Sequence, residues 1–187
     1  MNLLQNRIVQ IASLSEESNK KFLAAWQTWT VTKDFFVLKE NEVSNYLYFI
    51  EKGIARIFYY KNGKEITEWI AMDNSFFLSI ISFFERKPSY LQIHTIEPAL
   101  IRGIHYNDLM KLCDEHHEIE RWLRKALTGS LILSQYRMDS IQFETAQQRY
   151  EKLLETNPSI IQRVPLSYIA SFLGITQETL SRIRSSL

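Results

Sequence analysis

Between Val164 and Arg184 the chain reads VPLSYIASFLGITQETLSRIR, which spaces its apolar, small and polar residues as two steeply crossing short helices require. Counted from Leu166, apolar Ile169 is fourth and Ala170 is fifth, where a larger side chain would strike the second helix. Leu173 is eighth, and Gly174 is ninth, where the chain must leave the first helix in a left-handed conformation. Ile175, Leu180 and Ile183 complete the buried frame at positions ten, fifteen and eighteen. Thr176 is placed to cap the second helix, with Glu178 in its positively polarised first turn. An ordinary helical hairpin also favours glycine at its turn, but it does not require alanine at the fifth position and apolar residues at all the others. The outward face of the second helix would carry Gln177, Glu178, Ser181, Arg182 and Ser185. These side chains suit base edges: Arg can grip guanine O6 and N7, Glu can accept from cytosine N4, and Gln can pair with adenine. The spacing therefore predicts a helix-turn-helix that reads double-stranded DNA.

Other residue types capable of chemistry are sparse. His116 and His117 could suggest a metal or haem ligand, but neighbours on a helix point about 100° apart and no Cys or carboxylate cluster completes a site; a solvated helix start explains them. His94 and His105 fall in or near strands, where a hydrogen-bonded structural role is expected. Phe76, Phe77, Phe83 and Phe84 could line an apolar pocket, although core packing accounts for them as well. No Ser/His/Asp set, paired carboxylates or phosphate-cradling glycine loop stands out, so neither an enzyme nor a resident cofactor or metal is expected.

These residues need a scaffold. Ser15 as N-cap, Glu16 and Glu17 in the first turn, and Phe22, Trp26 and Trp29 at helical spacing predict helix through the first thirty residues. From Asp34 to about Ile104 the texture changes to short runs such as Phe35–Leu38, Tyr46–Ile50 and Ile54–Tyr60, separated by Lys52-Gly53, Lys61-Asn62-Gly63 and Glu97-Pro98. Asn62-Gly63 marks a hairpin, because both central residues of a type I′ turn need positive φ. Seven or eight antiparallel strands, closed into a barrel or roll, are expected. A long helix at about 117–143 carries one stripe through Ile119, Trp122, Ala126, Gly129, Leu133, Tyr136, Ser140 and Phe143. A second runs through Leu123, Leu127, Ser130, Ser134 and Ile141. Two sticky faces suggest that one packs the domain and the other a second copy; Ile119, Trp122, Ala126, Leu133 and Tyr136 are the expected seam. A further short helix over Ala146, Tyr150, Leu153 and Leu154 should stop at Asn157-Pro158.

Composition agrees. With 45% hydrophobic and 13% aromatic residues in 187, the chain can bury a core, and five Gly and four Pro leave long elements joined by short turns. The formal charge is +1, so no global positive field advertises nucleic acid. The segment from Ala146 onward holds five basic against three acidic residues, a balance of +2, leaving seventeen against eighteen, or −1, elsewhere. Cys113 is alone, which excludes an intrachain disulfide or four-thiolate cluster. The start Met1-Asn2-Leu3-Leu4 lacks the pattern of a secretion signal, and no apolar run approaches a membrane span. A reducing, cytoplasmic setting without membrane contact is expected.

Tyr48-Phe49-Ile50-Glu51-Lys52-Gly53, the Asn62-Gly63-Lys64-Glu65 hairpin and above all Ile169 to Arg182 resemble the Crp/Fnr regulators along nearly the whole chain. The resemblance implies an α+β fold. Residues 1–145 would form a cyclic-nucleotide-binding-like β-roll sensor with N-terminal helices and a dimerisation helix, and residues 146–187 a helix-turn-helix domain. It implies base contacts by Glu178 and Arg182, joined by Gln177 and Ser181, and phosphate contacts by Thr176 and Arg184. It also implies a homodimer on an inverted-repeat operator and RNA polymerase as a partner. Relatives that bind cyclic AMP carry a Gly-Glu pair and, about ten residues later, Arg-Ser or Arg-Thr. Here Phe76-Phe77-Leu78-Ser79 and Pro88-Ser89 stand instead, and the Ser alone survives. Cyclic AMP is therefore not expected to act through the usual residues, and Phe77, Ser79, Arg86, Lys87 and Ser89 are the candidates for a different small-molecule effector. The chain ends at Leu187, where the family adds a DNA-touching β-hairpin wing; weaker phosphate anchoring is expected. Two alternatives stay open: a cyclic-nucleotide-responsive regulator with an altered pocket, and a sensor or interaction module that no longer grips DNA.

Overall fold

Helix starts at the N-terminus are set by two polar caps. In the computed structural model, which describes residues 2–186, Asn2 Oδ1 accepts the Gln5 N–H at 2.8 Å and opens α1 (Leu3–Ile11). Met1 and Leu187, the outer limits of the two expected domains, lie outside the described residues. Ser15 caps α2 (Glu16–Ala24) by accepting from Ser18 N–H, as its sequence context predicts. The helix does not continue through Trp26 and Trp29. Both sit in β1 (Trp26–Val31), where Trp-Gln-Thr-Trp-Thr-Val favours an extended, alternating chain and pairs along its length with the last strand of the roll.

The remaining strands are β2 (Phe36–Leu38), β3 (Tyr46–Lys52), β4 (Ala55–Lys61), β5 (Lys64–Ala71) and β6 (Ser75–Phe77), then α3 (Ile80–Glu85), β7 (Gln92–Thr95) and β8 (Ala99–His105). They form two antiparallel four-stranded sheets, ordered β1-β8-β3-β6 and β2-β7-β4-β5. The expected strand count is met, with the first strand starting earlier than Asp34. Asn62 and Gly63 both take positive φ, 52° and 73°, so the β4–β5 turn is the tight one their sequence requires. Leu38, Tyr48, Ile50, Ile57, Phe77, Leu91, Ile93 and Ile101 fill the space between the sheets.

A second core lies where α4 (Tyr106–Glu115) and the start of α5 (His117–Phe143) meet α1, α2 and the roll. Ile119 and Trp122 are fully buried there, and Trp122 Nε1–H donates to Ile8 O at 3.2 Å. Beyond this anchor α5 runs free: every residue from Thr128 to Tyr136 is exposed.

The chain ends in α6 (Ala146–Thr156), α7 (Ile160–Arg163), α8 (Leu166–Leu173) and α9 (Gln177–Ser185). Thr145 and Gln148 close a capping box on α6, and the helix stops before Asn157-Pro158 as expected. Tyr150, Ile160, Val164, Ile169, Ala170, Leu173 and Leu180 form a third core, which takes in Ile54, Ile70 and Ile96 from the roll. The C-terminal helices are thus packed onto the roll rather than tethered to it.

Candidate nucleic-acid interface

The α8–turn–α9 unit has the geometry that its spacing demands. Ile169, Ala170 and Leu173 are buried on α8 and Leu180 on α9, while Ile175 and Ile183 pack half-buried beside them. Gly174 ends α8 at φ 70°, and Ile175 N–H reaches back to Ala170 O at 3.0 Å. A Cβ at Gly174 would meet nothing within 4 Å, so the glycine serves backbone conformation, not space. Thr176 caps α9 by accepting from Thr179 N–H at 3.2 Å. The opposite face carries Gln177, Glu178, Ser181 and Arg182, all exposed, with Thr176 and Arg184 exposed at its margins. Its own backbone N–H and then the Thr176 hydroxyl hold the Glu178 carboxyl below the usual carboxylate range, favouring an ionised acceptor. The structure gathers every residue expected to touch DNA on one exposed surface, with the Thr176 hydroxyl engaged in the cap.

How α8 docks on the roll was not foreseen. Arg56 is buried in β4, its Nε donating to Thr67 Oγ1 at 2.9 Å and its Nη1 to Glu65 Oε2 at 2.5 Å. Its guanidinium lies 3.7 Å from the centre of the Tyr168 ring on α8 and 4.5 Å from that of Phe58. Ser171 Oγ accepts the Thr67 N–H at 2.8 Å and donates to Glu65 O at 3.3 Å. Arg163 pairs with both Asp73 and Glu97, on two turns of the roll. From α5, Arg137 lies over the Phe172 ring and donates to its carbonyl at 2.9 Å. A charged residue inside the apolar run Ile54–Phe58 was a signal that could have exposed Arg56. Nothing local marked Arg163, because its partners lie 66 and 90 residues away.

His94 lies beside this interface, near the rings of Phe36, Phe58 and Tyr168. The expected hydrogen-bonded role fails for Nε2, which is buried without a partner among the described residues. Burial, and then the charge of Arg56, push its pKa below the ordinary 6.5 and keep the ring neutral. His105 does take a structural role, its Nδ1 accepting from Asn107 N–H at the start of α4. At the α4–α5 junction His117 is exposed as expected, but His116 is half-buried, with its Nε2 unpartnered among the described residues.

The five candidate effector residues do not converge. Ser79 and Ser89 are buried and bonded to each other at 2.9 Å, and Ser89 also exchanges bonds with Leu91 backbone. Phe77 stacks on Tyr48 in the roll core. Arg86, at φ 55° after α3, spends its guanidinium on Ser44 O, Phe83 O and Asn45 Oδ1 and lies over Tyr106. Lys87 points outward to Glu85. The four phenylalanines pack as core: Phe77 and Phe83 are buried in different clusters, with Phe76 and Phe84 against the second.

The expected seam needs correction. Ile119 and Trp122 have no surface left for a second copy, because α1 and α2 already cover them. Ala126 is half-buried, whereas Leu133 and Tyr136 are exposed on the same side of α5 further along. The stripe through Leu123, Leu127, Ser130, Ser134 and Ile141 meets the anchor at Leu123 and then leaves it, and exposed Leu131 and Met138 extend it.

Residues 29–116 match the cyclic nucleotide-binding domain family. Among solved structures, FixK2 from Bradyrhizobium japonicum is similar with a TM-score of 0.74 and 20% identity, over 87% of this chain and 84% of that one. The catabolite activator protein of Thermus thermophilus gives 0.59 and 18%, over 95% and 85%. A structure from Eubacterium rectale, described as a transcriptional regulator of the Crp/Fnr family, gives 0.69 and 16%, over 91% and 82%. No curated protein is significantly similar in sequence. The chain has the α+β fold of the Crp/Fnr regulators. No helix among the described residues is long and apolar enough to cross a membrane.

Proposed function

We propose that the chain is a sequence-specific DNA-binding transcription regulator that works as a homodimer in the cytoplasm and has RNA polymerase as a further partner. The observation that carries this is the face of α9: four polar side chains able to meet base edges, exposed together, on a helix whose other face is locked by Leu180, Ala170 and the Gly174 turn. The free middle of α5 supports the dimer. A lone helix exposing Leu131, Met138 and Ile141 along one stripe needs a partner surface. We place the seam on the stripe from Leu123 to Ile141. Two copies of α9 would then enter successive major grooves about 34–36 Å apart, on an inverted repeat. Selection from random DNA tests this: an inverted repeat should be enriched, and enrichment of no sequence would overturn the proposal.

The roll is not expected to answer to cyclic AMP. The candidate serines Ser79 and Ser89 are bonded to each other, and Arg86 is committed to carbonyls. Burying an anion there without paired charge would be costly. Titration calorimetry with cyclic AMP and with cyclic GMP should show no saturable heat at micromolar to millimolar ligand. Tight binding of either would favour the altered-pocket reading.

A further inference from the structure

We propose that the tip of the β4–β5 hairpin is a second DNA-contacting surface, on which Lys61 and Lys64 hold backbone phosphates beside the helix-turn-helix; the proposal rests on the DNA reading above.

Three observations lead there. First, the C-terminal helices have few cations to spare. Arg149 donates to the carbonyls of Glu144 and Leu173, Lys152 pairs with Glu144, and Arg163 is held by Asp73 and Glu97. Among the described residues from Ala146 onward, Arg182 and Arg184 are left unpaired. Proteins that grip duplex DNA commonly neutralise several phosphates, and two cations per copy is a thin supply.

Second, Lys61 and Lys64 stand directly opposite each other across the hairpin. Like charges in that register repel, and no carboxylate among the described residues pairs with either. Adjacent Glu65 is already bound by Arg56 and by the Tyr60 hydroxyl at 3.0 Å. Residues 60–65 are all exposed. Two facing ammonium groups left uncompensated on a rigid tight turn form a site for an anion.

Third, the hairpin is fixed next to the reader. Ser171 bridges Thr67 N–H and Glu65 O, and one cleft is bounded by Tyr59 and Ile66 on the hairpin and by Ser171, Phe172 and Gly174 on the reader. Lys64 is the next residue after these contacts toward the tip, about 3.3 Å along the strand. Gly174 is three residues before Gln177, the first residue of α9. These contacts put the hairpin on the side of the reader where α8 turns into α9, and we assign its lysines to the phosphates bordering the groove there.

The test compares the wild type with K61A/K64A on the selected operator, following affinity by fluorescence anisotropy between 50 and 200 mM salt. Each lost phosphate contact lowers the salt slope by about 0.9, so the wild type should lose about 10-fold more affinity than the variant if two contacts are removed, and about 150-fold more if four are. Base preference in the selected sites should not change. K20A/K111A, which removes the same charge from helices of the other core cluster, should keep the wild-type slope. An unchanged slope in K61A/K64A, or a change of base preference in place of slope, overturns the hairpin contact while leaving the α9 reading intact. A wild type that binds no DNA at 50 mM salt overturns both.

Discussion

Arg182 and Arg184 are two residues apart on α9, which places them about 200° apart around its axis. If Arg182 faces the base edges, Arg184 must project toward the flank, so the two should fail differently. Arg182→Ala should cost about 1–3 kcal/mol and relax preference at one symmetric base pair. Arg184→Ala should weaken all sequences alike and flatten the salt dependence. Site selection with both variants separates them, and loss of affinity in Arg182→Ala without loss of discrimination would remove it from the groove. His94 gives a prediction of another kind. Its folded pKa lies below the unfolded 6.5, so between those values the unfolded chain binds more protons and stability falls as pH drops. Glu65, whose carboxyl is also held below its ordinary 4.5, withdraws its contribution at lower pH. The melting temperature should therefore begin to fall below about pH 6.5, and His94→Phe should flatten the profile between pH 6.5 and 5. An unchanged profile in that variant would mean that His94 is not the responsible group.

At the scale of elements, Arg163 is the ionic tie between the C-terminal helices and the roll, through two carboxylates on separate turns. Burial raises the Asp73 pKa, but Arg163 and the Gly53 N–H outweigh it and keep the group ionised. Arg163→Ala should cost about 1–3 kcal/mol and speed hydrogen exchange in α7 and α8 while leaving β3 and β8 protected; unaltered exchange in α7 and α8 would show that the aromatic contacts alone hold the dock. Such ties are what sequence conceals. The turn at Gly174, the caps at Ser15 and Thr176 and the Asn62-Gly63 hairpin were legible because each is decided within four residues. Trp26 and Trp29 misled because aromatic residues three apart share a helix face, whereas in β1 they take opposite faces, Trp26 in the second core and Trp29 against the core between the sheets; pairing with β8 decided the matter. The stripe beginning at Ile119 and Trp122 was rightly seen as apolar, but periodicity cannot say which neighbour covers it. The effector candidates were chosen by position in a resemblance, and their hydrogen bonds to one another arise only when the loops fold.

For the whole molecule, the sensor-like roll and the C-terminal helices are joined twice, once by the docked α8 and once by α5 running free between its two ends. A 27-residue helix spans about 40 Å. Leu131→Glu should place a charge in the proposed seam and give a monomer in sedimentation at micromolar concentration, whereas Leu133→Glu, on the side of Trp122, should remain dimeric. A monomeric wild type, or the reverse result, would place the seam elsewhere. The exposed stretch from Thr128 to Tyr136 has a consequence for turnover. A helix covered only by association opens more often as the protein is diluted, since binding stabilises the bound form by mass action. A protease that cleaves open chain would then cut α5 in dilute solution and spare it at high concentration. Scarcity itself would mark the protein for destruction, giving its cellular level a threshold below which it does not persist.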